Sequence, residues 1–199
     1  MSTTPVRKSS PTFGQAVAVN GGAVGFMWLL EIVDQLTANS LDAFGISPRD
    51  PSELLQILSA PWLHFGWGHL ISNSVPFIVL GVMIYLSGAA RWLVTFIVTA
   101  LASGLTVWLI SPSFTNTAGA SGVVFGFLTY LLVRGFFTRK IGQVLIAIFV
   151  MMVYGGVLWG VLPLSAGVSW QGHLGGAIGG VVAAWLMHAR ANRKAQYKL

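Results

Sequence analysis

Three short stretches of this chain carry side chains that could do chemistry together. Ser121 sits in Gly119-Ala120-Ser121-Gly122, and His173 sits in Gly172-His173-Leu174-Gly175-Gly176. His69 and Asn73 stand four residues apart in His69-Leu70-Ile71-Ser72-Asn73. A serine hydroxyl becomes a nucleophile when a base lies within hydrogen-bond reach, and the oxyanion that follows needs donors. Histidine can be that base, and residues at i and i+4 share one helix face, so His69 and Asn73 can donate to one developing charge. Glycines beside Ser121 let backbone and substrate approach closely. Each stretch alone also has a plain structural reading, because small residues line helix contacts in membranes. A histidine can equally bond between helices or cap one. His64 and His69 lack the acidic partner of an H-E-x-x-H pattern, so no zinc site is expected. The chain has no cysteine, which excludes disulfides and thiolate metal sites. No phosphate-binding loop is present, and no cofactor is expected.

The elements that must position these residues follow from composition. Of 199 residues, 55% are hydrophobic and only 8% are charged, against about 25% charged in soluble domains. Bilayer is the natural solvent for such a chain. Long apolar runs predict six spans, at roughly 16–37, 69–88, 91–110, 119–138, 141–162 and 170–189. The expected fold is an all-α polytopic bundle of six transmembrane helices. A short cytoplasmic segment over 1–15 precedes a single membrane domain over 16–189, and a basic cytoplasmic tail over 190–199 follows it. The basic stretch at Arg7 and Lys8 resembles a signal-peptide start, but the run behind it is too long and lacks a cleavage site, so it reads as the first span. No internal repeat of the kind many transporters carry is visible.

With six spans, ten of the eleven Lys and Arg residues fall on one face: Arg7, Lys8, Arg91, Arg134, Arg139, Lys140, Arg190, Arg193, Lys194 and Lys198. Only Arg49 falls on the other. Positive charge stays cytoplasmic, so both termini are expected in the cytoplasm of a cell-membrane protein. The net charge of +6 is then explained by topology and anionic lipid, without nucleic acid.

Ionisable groups inside spans are costly and mark function by default. In this topology the spans carrying His69, Ser121 and His173 all run inward from the outer side, so three helices deliver polar groups to one face. Ser121 precedes Arg134 by 13 residues, or about 20 Å of helix, in a hydrocarbon core about 30 Å thick. That puts Ser121 about 10 Å below the outer surface, and the same sum from Arg190 puts His173 about 5 Å below it. A channel or transporter would instead line a whole path with polar residues. Glu31 and Asp34, three apart near the outer end of span 1, are expected to pair within the bundle or with the 38–68 connection. Trp62, Phe65 and Trp67 suit an interfacial segment.

The combination of His64-Phe65-Gly66-Trp67-Gly68-His69-Leu70-Ile71-Ser72-Asn73, Gly119-Ala120-Ser121-Gly122 and Gly172-His173 resembles the rhomboid intramembrane serine proteases over about residues 45–185. The resemblance implies a six-span bundle and a catalytic Ser121–His173 dyad. It implies an oxyanion hole from His69, Asn73 and the Ser121 N–H, with His64, Gly119, Gly122 and Phe125 as accessory residues. It also implies membrane-protein substrates with a transmembrane helix, cut by a site opening to the outer face. Relatives that lack the serine or histidine bind membrane helices without cutting them. Two departures stand out. The family's Trp-Arg pair is missing from Glu53-Leu54-Leu55-Gln56-Ile57-Leu58, and Phe125 replaces a tyrosine that stacks on the histidine in some relatives.

Overall fold

The computed structural model describes residues 10–138, 140–164 and 167–196, with side chains described as far as residue 189. Six long helices dominate it: α1 (Phe13–Leu36), α3 (Trp67–Leu86), α4 (Ala89–Ile110), α5 (Ser121–Thr138), α6 (Ile141–Tyr154) and α7 (Trp170–Gln196), with the short α2 (Gln56–Ser59) between α1 and α3. No strand occurs among the described residues; the single bridge joins Ile46 to Thr117. Five helical segments, α1, α3, α4, α5 and Ile141–Val161, are long and apolar enough to cross a membrane. The sixth, α7, is diluted by glycine because much of its surface meets other helices.

The helix starts explain where the spans begin. Thr12 and Gln15 form a reciprocal capping box, so α1 starts at Phe13, three residues ahead of the expected span. α7 continues to Gln196, so helix extends into the expected tail 190–199. Of the basic residues expected to fix topology, Arg7, Lys8, Arg139 and Lys198 lie outside the described residues, as do the side chains of Arg190, Arg193 and Lys194.

The core is a layer of aromatic and aliphatic side chains from α3, α5 and their neighbours, among them Phe77, Leu80, Phe127, Leu128 and Leu131. α7 packs against both α4 and α5, and glycine sets how closely. A Cβ on Gly176 would stand 1.9 Å from the Gly122 carbonyl oxygen, and one on Gly180 would stand 2.1 Å from that of Gly126. On the α4 side, a Cβ on Gly179 would stand 2.9 Å from Ala102 Cβ. Backbone meets backbone along this seam, which only small residues permit. The small-residue spacing at 172, 176 and 180 therefore works as expected at its last two positions. Gly172 instead faces Val107 and Ser103 of α4, and its carbonyl accepts from Ser103 Oγ–H at 2.9 Å.

The 37–66 connection is a chain of short turns, with 3₁₀ segments at Ser40–Phe44, Pro51–Glu53 and Ala60–Trp62 flanking α2. Glu31 and Asp34 are both buried. Asp34 Oδ1 accepts from the Leu41 N–H at 2.6 Å, which ties α1 to this connection. Glu31 Oε1 accepts from Gln35 Nε2 at 3.0 Å. Phe65 and Trp67 are exposed, as an interfacial segment requires, but Trp62 packs between Phe26 and Phe96, with ring centroids 5.6 and 5.3 Å away. Its half-buried ring bridges α1 and α4 and packs against the edge of the core.

Candidate active site

Ser121 is the first residue of α5. First-turn N–H groups have no intrahelical partner and carry the positive end of the helix dipole, so the Ser121 amide is free to donate. The segment before it is held at three points. Gly119 donates its N–H to the Ala60 carbonyl at 2.8 Å, Ala120 donates its N–H to His64 Nε2 at 3.3 Å, and Thr117 exchanges both backbone bonds with Ile46. The connection between α1 and α3 is therefore a buttress for the start of α5.

Gly119 adopts φ +122°, and a Cβ there would stand 2.5 Å from His69 Cε1. Both the backbone angle and the space demand glycine. Gly122 is small for a different reason. A Cβ on it would strike Ser103 Oγ at 2.0 Å, so this glycine admits α4 and α7 rather than a ligand.

His173 lies one turn into α7, whose start is tied by the Gly172 N–H to Ser169 Oγ at 3.3 Å. Across the glycine seam its Nε2 reaches Ser121 Oγ at 2.9 Å. Its Nδ1 meets the Gly160 carbonyl at 2.9 Å. A carbonyl only accepts, so Nδ1 carries the ring proton and Nε2 is left to accept from the serine hydroxyl. The Phe125 ring stacks on the imidazole, with centroids 4.1 Å apart and planes 11° apart. The ring is thus fixed at both nitrogens and on one face.

A cavity of about 660 Å³ opens over this pair, and His69, Asn73, Ser121, Phe125 and His173 all line it. Asn73 is buried, and its Nδ2 has no hydrogen-bond partner. An unmade donor in a buried site costs free energy unless something supplies an acceptor. His69 stands edge-on to His64, with centroids 5.1 Å apart. Burial pushes the His64 imidazole down to about 3, the neighbouring His69 adds to that, and the Trp62 carbonyl opposes it only weakly. His64 is therefore neutral, and its Nε2 is the acceptor that holds the Ala120 amide.

All eight residues singled out in the sequence converge on this region. What sequence reading missed is backbone: the Gly160 carbonyl that binds His173 and the Ala60 carbonyl that binds Gly119. A carbonyl leaves no mark on residue type. The only signal was a glycine at 160, where a Cβ would meet Phe125 Cζ at 2.8 Å and His173 Nδ1 at 3.1 Å. The cavity also recruits Thr115, Asn116 and Gln171, which make its wall polar.

Residues 51–190 match the Rhomboid domain family. The chain is 42% identical to an uncharacterized protein of Mycobacterium tuberculosis, over 87% of its own length and 75% of that relative. It is 30% identical to rhomboid protease GluP of Bacillus subtilis, over 79% of this chain and 31% of that protein. It is also 30% identical to the chloroplastic rhomboid-like protein 11 of Arabidopsis thaliana, over 66% of this chain and 52% of that one. The three sequence stretches, the helical bundle and these matches agree: the chain belongs to the rhomboid family.

Proposed function

We propose that this chain is an intramembrane serine endopeptidase that cuts membrane proteins in or near a transmembrane helix. The observation that carries the reading is the 2.9 Å contact between Ser121 Oγ and His173 Nε2 inside a cavity. In this scheme a substrate helix unwinds at its outer end and offers a peptide bond to Ser121. His173 takes the hydroxyl proton as Oγ attacks the carbonyl carbon. The oxyanion is received by the Ser121 N–H, Asn73 Nδ2 and His69, which line the same cavity. His173 then gives its proton to the leaving amine, and the acyl-enzyme forms. Water deprotonated by His173 completes hydrolysis and returns the serine. The polar wall of Thr115, Asn116 and Gln171 gives that water a surface to enter along, within a bundle surrounded by lipid.

The orientation belongs to the same reading. Arg91, Arg134 and Lys140 lie at the opposite helix ends from Ser121 and His173, so the site opens to the outer face and both termini are cytoplasmic. Residues 16–189 form the catalytic membrane domain, flanked by cytoplasmic segments 1–15 and 190–199.

Labelling of purified, detergent-solubilised protein by a fluorophosphonate probe tests the proposal. Wild type is expected to label and to cut a single-span substrate. Ser121→Ala and His173→Ala are expected to lose at least about 10³-fold of both signals. Cleavage by folded Ser121→Ala, or no labelling of folded wild type, would sink the reading in favour of a non-cutting helix-binding protein.

A further inference from the structure

His173 needs something to hold its ring in the tautomer that leaves Nε2 bare. In a serine–histidine–aspartate triad a carboxylate does this. Here all five acidic residues lie between Glu31 and Glu53, and none of them lines the cavity. The partner that Nδ1 does meet is the Gly160 carbonyl at 2.9 Å. Gly160 belongs to the 3₁₀ segment Gly155–Val161 that continues α6, so the group holding the base rides on a different span from the base itself.

That span is the least buried of the five that are long and apolar enough to cross a membrane. In the Ile141–Val161 segment only 6% of the apolar window is buried, against 56% in α5. Val150 is the sole buried residue of α6 itself. Gly155 and Gly156 stand at the change from α to 3₁₀ winding, where the ladder of hydrogen bonds is poorest. The contact at Gly160 is nevertheless close, since a Cβ there would press on both His173 and the Phe125 ring stacked upon it. Resting on the protease reading, we propose that the Gly160 carbonyl is the positioning partner of His173, and that outward displacement of the Gly155–Val161 segment disarms the base. A hydrogen bond of 2.9 Å is lost once the segment moves by about an ångström. The imidazole then samples the Nε2–H tautomer, which cannot take the serine proton. Any widening of the bundle on the α6 side therefore switches the chemistry off until the segment returns.

The test compares wild type, Gly160→Ala and Gly156→Ala. Gly156 sits on the same segment but has nothing within 4 Å of a built Cβ, so it controls for alanine in the turn. Two readouts are taken: cleavage kinetics on a single-span peptide substrate in micelles, and ¹⁵N spectra of histidine-labelled protein. The chain has four histidines, and His173→Ala identifies the signal of interest. Wild type is expected to show His173 protonated on Nδ1. Gly160→Ala is expected to show mixed tautomers and a kcat lower by about tenfold, with KM within about twofold. Gly156→Ala is expected to match wild type in both. An Nε2–H tautomer in wild type overturns the inference without any variant, so a Gly160→Ala protein that fails to fold does not shield it. Unchanged kcat in folded Gly160→Ala overturns it as well. Wild type that neither labels nor cleaves would instead remove the protease reading beneath it, a result the tautomer measurement keeps distinct.

Discussion

The two spans that flank His173 are built to opposite rules. α7 meets α5 and α4 through glycines, with backbone atoms so close that a single added carbon would overlap at Gly176 and Gly180. α6 turns large apolar side chains outward along nearly its whole length, Met152 and Ile141 being about three-quarters exposed. The first span carries His173 and sets its distance to Ser121. The second carries the Gly160 carbonyl that His173 Nδ1 meets. The difference teaches how one membrane bundle can be tightly locked along one seam and loosely packed beside it. Close backbone approach supplies dispersion contacts without side-chain entropy loss, whereas lipid-facing side chains gain nothing from leaving lipid for the bundle.

The seam breaks first. Gly176→Val places three carbons where the Gly122 carbonyl stands, and is expected to cost about 3 kcal/mol of stability and to separate Ser121 from His173. Unfolding titration in detergent, together with probe labelling, reads both effects; native stability with full labelling would mean the seam is not what sets the site.

The buttress of α5 gives an effect of intermediate size that depends on pH. His64 is held at about 3, below its ordinary 6.5, so between these values the unfolded chain binds a proton that the folded chain refuses. Stability is thus full above about pH 6.5 and declines as pH falls toward 3. Between pH 7 and pH 4.5 the loss is expected to be on the order of 2 kcal/mol. His64→Phe is expected to flatten that slope while lowering stability at pH 7, since Ala120 loses its acceptor. Thermal midpoints of both proteins at the two pH values decide it, and parallel slopes would count against it.

The smallest effect is expected on the loose span. Met152→Ala faces outward and should change stability by less than about 0.5 kcal/mol and leave the kinetics untouched. A large loss there would mean that α6 is held by more than its visible contacts and would erase the contrast.

Much of this was legible in the sequence, for reasons that particular residues make plain. The six spans follow from hydrophobic runs that no soluble fold could hide, and each long helix overlaps its expected range. The meeting of Ser121 and His173 was implied by glycines at a four-residue spacing, because that spacing lets two helices touch along one face. Asp34 found its partner in the connection after α1, as two acids near a span end require. The ring partners of Trp62 were not legible, because an aromatic near a span end looks the same whether it faces headgroups or packs between helices. The bracing of the segment before Ser121 by Ala60 and Ile46 was invisible, since backbone pairing across 50 or more residues leaves no trace in residue type.

Bilayer thickness varies between membranes, and a protein shorter or longer than its host must tilt, stretch or deform the lipid around it. The glycine seam decides which part of this molecule yields. With backbone locked to backbone, α5 and α7 answer a mismatch as one body, so Ser121 and His173 keep their spacing while their common tilt changes. The mismatch is left to α6, whose Gly155–Val161 end already winds more tightly than an α-helix and whose side chains already face outward. Lipid chain length therefore addresses the Gly160 carbonyl and leaves the spacing of Ser121 and His173 alone.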